Sequence, residues 1–208
     1  MDWLAAAIEA RGRPPSVADL KAAYGRACRG PDPTEPSLIA QMLRDFGVTA
    51  PEAQAIRRAL PWDAVPLEAY PDALPALRRL QSAGFRVGVL ANQPSSTESD
   101  LARTGIAGLC DGVWLSGTVG LAKPDPRFFR LALDAWDLPP DRVAYVGDRP
   151  DNDVAPAKTL GLATVRLRRG PHAEQAPRTA AERADVKAHD LTEAARHLVA
   201  WRASLDDA

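Results

Sequence analysis

Cysteine is scarce. Cys28 and Cys110 stand alone and far apart, which excludes a disulfide scaffold and any thiolate metal-ligand or redox spacing, and makes a reducing cytosol the expected compartment. Long apolar runs are lacking too. None approaches the roughly 20 residues of a membrane span, and Asp2 and Glu9 interrupt the start where a secretory leader would need its apolar core. An excess of either charge is missing: 26 basic and 27 acidic side chains leave a net charge of −1, so no field draws the chain to nucleic acid or anionic membrane. The three histidines, His172, His189 and His197, have no evident partners in sequence and read as surface residues. Repeats and low-complexity tracts are absent. What remains is an ordinary globular composition, 46% apolar and 25% charged, in 208 residues that suffice for a substantial core.

The chain changes rhythm once. Residues 1–68 read as entirely helical, with no site signature. Trp3, Leu4, Ala7 and Ile8 share one helical face, Ser16 with Asp19 resembles a capping box, and Leu38, Ile39, Met42, Leu43 and Phe46 mark the strongest amphipathic helix, ended by Gly47. A further short helix opens at Pro51. Residues 69–208 alternate helix and strand. Strands are expected over Phe85–Ala91, Gly112–Ser116, Val143–Val146 and Ala163–Leu167, with a short edge strand over Asp185–Lys187. Capping signals at Ser95 with Glu98, at Asp125 with Pro126, and at Asp190 with Glu193 open the intervening helices. Residues 168–183 read as a polar loop. This alternation predicts an α/β fold: a parallel sheet with helices on both faces, plus a small all-helical subdomain at the amino end.

Three loops follow three of these strands, and in an open parallel sheet ligands bind just outside the strands' carboxyl ends. After Ala91 come Asn92 and Gln93, short amides able to donate to phosphate oxygens. After Ser116 comes a loop through Pro126 that holds Lys123 between small residues and Pro124. After Val146, Gly147 permits a sharp exit to Asp148, Asp151, Asn152 and Asp153. Clustered carboxylates repel unless a cation shares the site, and Mg²⁺ suits one or two of them while leaving positions for water and phosphate. Each element also has a bland alternative: Asn92 as a turn residue, Lys123 as a surface lysine, the acids as a solvated turn with an Asx helix cap. Taken together, an amide, a lysine and an acidic Mg²⁺-type site describe a pocket for a phosphoryl group.

The segments Val89–Gln93, Ser116–Asp125 and Gly147–Asp153 resemble, in order, the second, third and fourth motifs of the haloacid dehalogenase (HAD) superfamily of phosphatases and hydrolases. The resemblance runs over nearly the whole chain. It implies a Rossmann-type parallel sheet with a helical cap inserted early, Lys123 as the catalytic and phosphate-binding lysine, Asn92 as a phosphate ligand, and Asp148 and Asp153 as Mg²⁺ ligands. It further implies a small phosphorylated metabolite as partner. The Gly-Asp pair of the fourth motif favours a phosphatase over metal-free dehalogenase chemistry.

Two departures accompany the matches. Ala91 stands where the family usually has serine or threonine. The first motif, an apolar strand ending in Asp-x-Asp whose first aspartate becomes an aspartyl-phosphate, is unmatched, because among the expected strands only Val143–Val146 leads into an aspartate, Asp148 after Gly147, and that match belongs to the fourth motif. Either the chain starts late and an active enzyme is seen without its nucleophile strand, or it is a degenerate relative that binds rather than catalyses. The unmatched strand lies mid-sheet in the family. Residues 87–91 must then pair directly with 143–147, or a slot stays open between them. Substrate identity and oligomeric state are left open.

Overall fold

A computed structural model describes residues 15–31, 38–59 and 66–206. The helix expected around Trp3–Ile8 lies outside them. By contacts the chain divides into two compact units, Met1–Pro61 with Pro171–Ala176, and Trp62–Gly170 with Pro177–Ala208.

The first unit is helical where described: α1 (Val17–Arg29), α2 (Leu38–Arg44) and α3 (Ala50–Ala59). The Ser16–Asp19 capping box forms as expected, the serine hydroxyl accepting from Asp19 N while the Asp19 carboxylate accepts from Ser16 N at 2.9 Å. Glu52 makes the equivalent bond back to Thr49 N, 2.9 Å, at the start of α3. Leu20, Ala23, Met42, Leu43 and Ala53 close a core of their own. His172 belongs to this unit and corrects the surface assignment: it is buried, its Nδ1 3.0 Å from Gln175 Oε1. The signal was weak, because its partner lies in a stretch with no apolar periodicity.

The second unit runs α4 (Ala73–Ser82), β1 (Gly88–Ala91), α5 (Thr97–Arg103), β2 (Gly112–Leu115), α6 (Ser116–Val119), α7 (Pro126–Trp136), β3 (Ala144–Gly147), α8 (Ala155–Thr159), β4 (Ala163–Leu167), β5 (Val186–Ala188) and α9 (Leu191–Asp206). All pairing is parallel, as the βαβ alternation predicts, but the strands form two sheets, β1-β2 and β3-β4-β5. β1 and β3 are not hydrogen-bonded to each other. The slot is open. Phe129, Leu133, Ala157 and Leu162 pack against Leu90, Val143 and Tyr145 on one face, while Ala194 and Leu198 pack with Leu80, Ala144 and Val146 on the other. The helices therefore cover both faces.

Two local expectations differ. Ser95 and Glu98 form no capping box. The cap of α5 is Ser96, in helical conformation and making no side-chain capping bond, while Glu98 accepts from Thr118 Oγ1 at 3.1 Å. Strand β1 starts at Gly88 rather than Phe85, since Phe85 N is drawn to Leu80 O (3.0 Å) to close the end of α4. Among the described residues no helix is long and apolar enough to cross a membrane.

Candidate active site

The loops after β1, β2 and β3 meet, and Asn92 ties the first two together. Its Nδ2 donates to Lys123 O at 2.8 Å and its Oδ1 accepts from Lys123 N at 2.7 Å, so one carboxamide satisfies both backbone groups of a residue 31 positions away. Gly117 N donates to Gln93 O at 2.9 Å, and a Cβ at Gly117 would sit 2.8 Å from Ser95 N, so only glycine allows the loops to approach this closely. Gly120, at φ 73°, ends the short helix α6 and turns the chain toward Lys123, whose bond to Pro124 is cis. Asp125 then caps α7 as expected, accepting from Arg127 N at 2.9 Å, with Pro126 in its first turn.

Lys123 reaches inward to the third loop. Its Nζ lies 2.7 Å from Asp153 Oδ1 and donates to Tyr145 Oη at 2.9 Å, with side chains only 12% and 3% exposed for Lys123 and Asp153. Tyr145 Oη in turn donates to Leu90 O at 3.1 Å, so a hydrogen-bonded chain links β1 and β3 at their carboxyl ends. Burial opposes charge on Lys123. The charge of Asp153 and the hydrogen bonds to Asp153 and Tyr145 outweigh it and raise the ammonium above the usual lysine range. Burial, and then the Asp153 charge, push the Tyr145 phenol up as well, against the opposing pull of Lys123. At neutral pH the site therefore holds an ammonium and a neutral phenol.

Asp153 does more than neutralise. Its Oδ2 accepts from Asp148 N (3.1 Å) and Arg149 N (3.0 Å), which folds the turn that presents Asp148. Gly147 is required here, because a Cβ would lie 2.5 Å from Asp153 Cβ. The turn continues as a single π-helical turn, Pro150–Val154, a feature frequent at functional sites. Asp151 is drawn off into a pair with Arg149, 2.8 Å, with Arg178 3.9 Å away.

The structure thus brings together all four residues singled out in sequence: Asn92, Lys123, Asp148 and Asp153. Sequence reasoning missed Tyr145. A tyrosine inside an otherwise apolar buried strand was the available signal, since a buried phenol needs a polar partner. Asp148 and Asp153 are hard oxygen donors, and both charges act on the Tyr145 hydroxyl. No group of three or more His, Cys, Asp or Glu that could hold a metal occurs among the described residues. Two carboxylates nonetheless fit Mg²⁺, which completes its shell with water and phosphate.

A family model for haloacid dehalogenase-like hydrolases matches residues 4–161. A glyceraldehyde 3-phosphate phosphatase of Methanopyrus kandleri is 35% identical over 113 residues, 54% of this chain and 48% of that protein. A phosphoserine phosphatase of Thermus thermophilus is 38% identical over 102 residues, 49% of this chain and 41% of that protein. The chain spans somewhat under half the length of these curated relatives. Among solved structures, a predicted phosphoglycolate phosphatase from Haemophilus somnus superposes with a TM-score of 0.68 at 19% identity, covering 94% of this chain and 90% of that one, which speaks for the fold.

Proposed function

The chain belongs to the haloacid dehalogenase-like hydrolases, and from that premise we propose that it is the body of a Mg²⁺-dependent phosphatase acting on a small phosphate monoester. The observation that carries the proposal is the buried Lys123–Asp153 pair, set beside Asp148 where three strand ends meet. An ammonium has three donors. Tyr145 and Asp153 engage two, which leaves one for a phosphate oxygen. Asn92 fixes the Lys123 backbone, and the second hydrogen of its Nδ2 is a further donor for phosphate. Asp148 would hold Mg²⁺ directly, and Asp153, already paired with Lys123, through water. The ion would supply positive charge against the phosphate. Catalysis in such a site is mostly positioning and charge neutralisation.

The nucleophile is the part the described residues do not place, and the slot between β1 and β3 is where a strand bearing it would run. The chain as it stands is expected to hydrolyse p-nitrophenyl phosphate no faster than a Mg²⁺ blank. Extending it before Met1 by an apolar strand ending in Asp-x-Asp should produce Mg²⁺-dependent hydrolysis of p-nitrophenyl phosphate, phosphoserine or glyceraldehyde 3-phosphate. That activity should be lost in Lys123→Ala and Asp148→Asn. An extended chain with unchanged circular dichroism that hydrolyses none of the three would refute the proposal.

A further inference from the structure

Three acids, Asp148, Asp151 and Asp153, stand within one short turn after β3, yet among the described residues no three such side chains converge as a metal site. Two of them are held by cations of the chain itself. Asp153 bonds Lys123 with one oxygen and two backbone N–H groups with the other. Asp151 is held by Arg149 fork to fork, Nε lying 3.3 Å from Oδ1 and Nη2 2.8 Å from Oδ2.

This second pair is built in. Both side chains are largely buried, 20% exposed for Arg149 and 19% for Asp151. The Arg149 backbone N–H is tied to Asp153 Oδ2, and the fully buried Pro150 fixes the chain between the two partners. Burial opposes the charge on Arg149; the bond to Asp151 and the charges of Asp151, Asp153 and Asp148 more than offset it. Behind the pair, Arg178 Nη2 lies 3.9 Å from Asp151 Oδ2 and is itself held by the buried Glu182 at 3.1 Å. A guanidinium does not lose its proton in a protein, so Asp151 stays engaged at every working pH.

Taking Asp148 as the direct Mg²⁺ ligand and Asp153 as the water-mediated one, as proposed above, we infer that Arg149 selects the metal: by holding both oxygens of Asp151 it keeps a third carboxylate out of the shell and so favours Mg²⁺ over Ca²⁺. Mg²⁺ demands octahedral geometry, keeps several waters and takes one or two carboxylates. Ca²⁺ takes six to eight oxygens, accepts carboxylates through both oxygens, and binds more tightly as charged ligands are added. The positive charge of Arg149 repels either ion alike. The carboxylate count tells them apart. Lysine in its place would keep the charge and lose the fork that grips both oxygens.

The test titrates MgCl₂ and CaCl₂ separately, by calorimetry, into the full chain and its variants, each checked for parent-like circular dichroism. The parent should prefer Mg²⁺, and Asp148→Asn should lose it. Arg149→Met should bind Ca²⁺ tighter by roughly tenfold or more, the scale on which ligand charge tunes such sites, with a smaller change for Mg²⁺. Arg149→Lys should gain Ca²⁺ affinity in the same direction, which lost repulsion does not explain, and it serves if the methionine variant does not fold. Adding Asp151→Asn to Arg149→Met should abolish the gain. Equal rises for both ions, no Ca²⁺ gain in the folded Arg149 variants, or a gain that survives Asp151→Asn would each overturn the inference and leave Asp148 as the metal ligand. Equal Mg²⁺ heats from the parent and Asp148→Asn would instead sink the Mg²⁺ site itself, and the role of Arg149 with it.

Discussion

Replacing Asp153 by alanine removes, in one step, the anion beside Lys123 and the acceptor for two backbone N–H groups. With both side chains nearly inaccessible, this is a buried pair, and stranding one member of such a pair costs about 3–5 kcal/mol. Each N–H left without its acceptor costs about 1–3 kcal/mol more if it stays dry. Tyr145 still accepts from Lys123, and the opened turn admits water, so these contributions do not add in full. The expected loss is about 3–5 kcal/mol, a large share of the ~5–15 kcal/mol of a typical domain. Much of it belongs to the stranded ammonium rather than to the missing bond. Adding Lys123→Met should therefore restore at least ~1.5 kcal/mol, within the usual coupling of contacting residues. Urea unfolding at pH 7, followed by circular dichroism with the slope of the transition unchanged, measures both. An Asp153→Ala protein within about 1 kcal/mol of the parent would refute the reasoning, as would a double variant less stable than the single one.

Gly147→Ala should destabilise by about 1–3 kcal/mol through overpacking against Asp153, and should also weaken Mg²⁺ binding by calorimetry, whereas Gly108→Ala, which meets nothing, should do neither. Titrating Mg²⁺ into the protein should give weak binding heats that Asp148→Asn abolishes; equal heats would exclude Asp148 as the ligand. Asp125→Ala should cost about 1 kcal/mol by removing the cap of α7, read as a shift in the urea midpoint. Asp185 is buried enough for desolvation to raise its pKa, but bonds from Lys158 and Thr164 hold it below its ordinary 3.8. A depressed carboxylate stabilises above its unfolded pKa and loses that contribution as pH falls through its folded one. The stability gap between the parent and Asp185→Asn should thus be full at pH 6 and shrink below pH 4; a gap that widens there would reverse the assignment.

Much of this was legible because it is local. The Ser16–Asp19 box, the Asp125–Pro126 start of α7 and the five strands depend on residues a few positions apart, and periodicity or capping chemistry records them directly. The site residues were legible for another reason: each lies in a segment that follows a strand, and strand ends converge. What escaped were bonds between loops. Nothing near Glu98 says that its carboxylate will bond Thr118 and form no capping box, and nothing near Asn92 says that its amide will close on the Lys123 backbone. Tyr145 counted toward an apolar strand because its ring is apolar, yet its hydroxyl joins Lys123 to Leu90. Such partners lie 20 to 55 residues away.

The divided sheet also bears on how the molecule comes apart. β1 with β2, and β3 with β4 and β5, are each built from neighbours close in sequence. Among the described residues no backbone ladder couples one set to the other; the links are helix packing and side-chain bonds such as Lys123–Asp153, Lys123–Tyr145 and Tyr145–Leu90, the last across 55 positions. Opening of one set leaves the ladder hydrogen bonds of the other intact, so the two are expected to open as separate foldons, which amide exchange would read as two sets of rates. A strand lying in the slot would bond both edges at once and fuse them into one cooperative unit. Ligation would then register as a change in the order of unfolding, two steps becoming one, as well as a gain in stability.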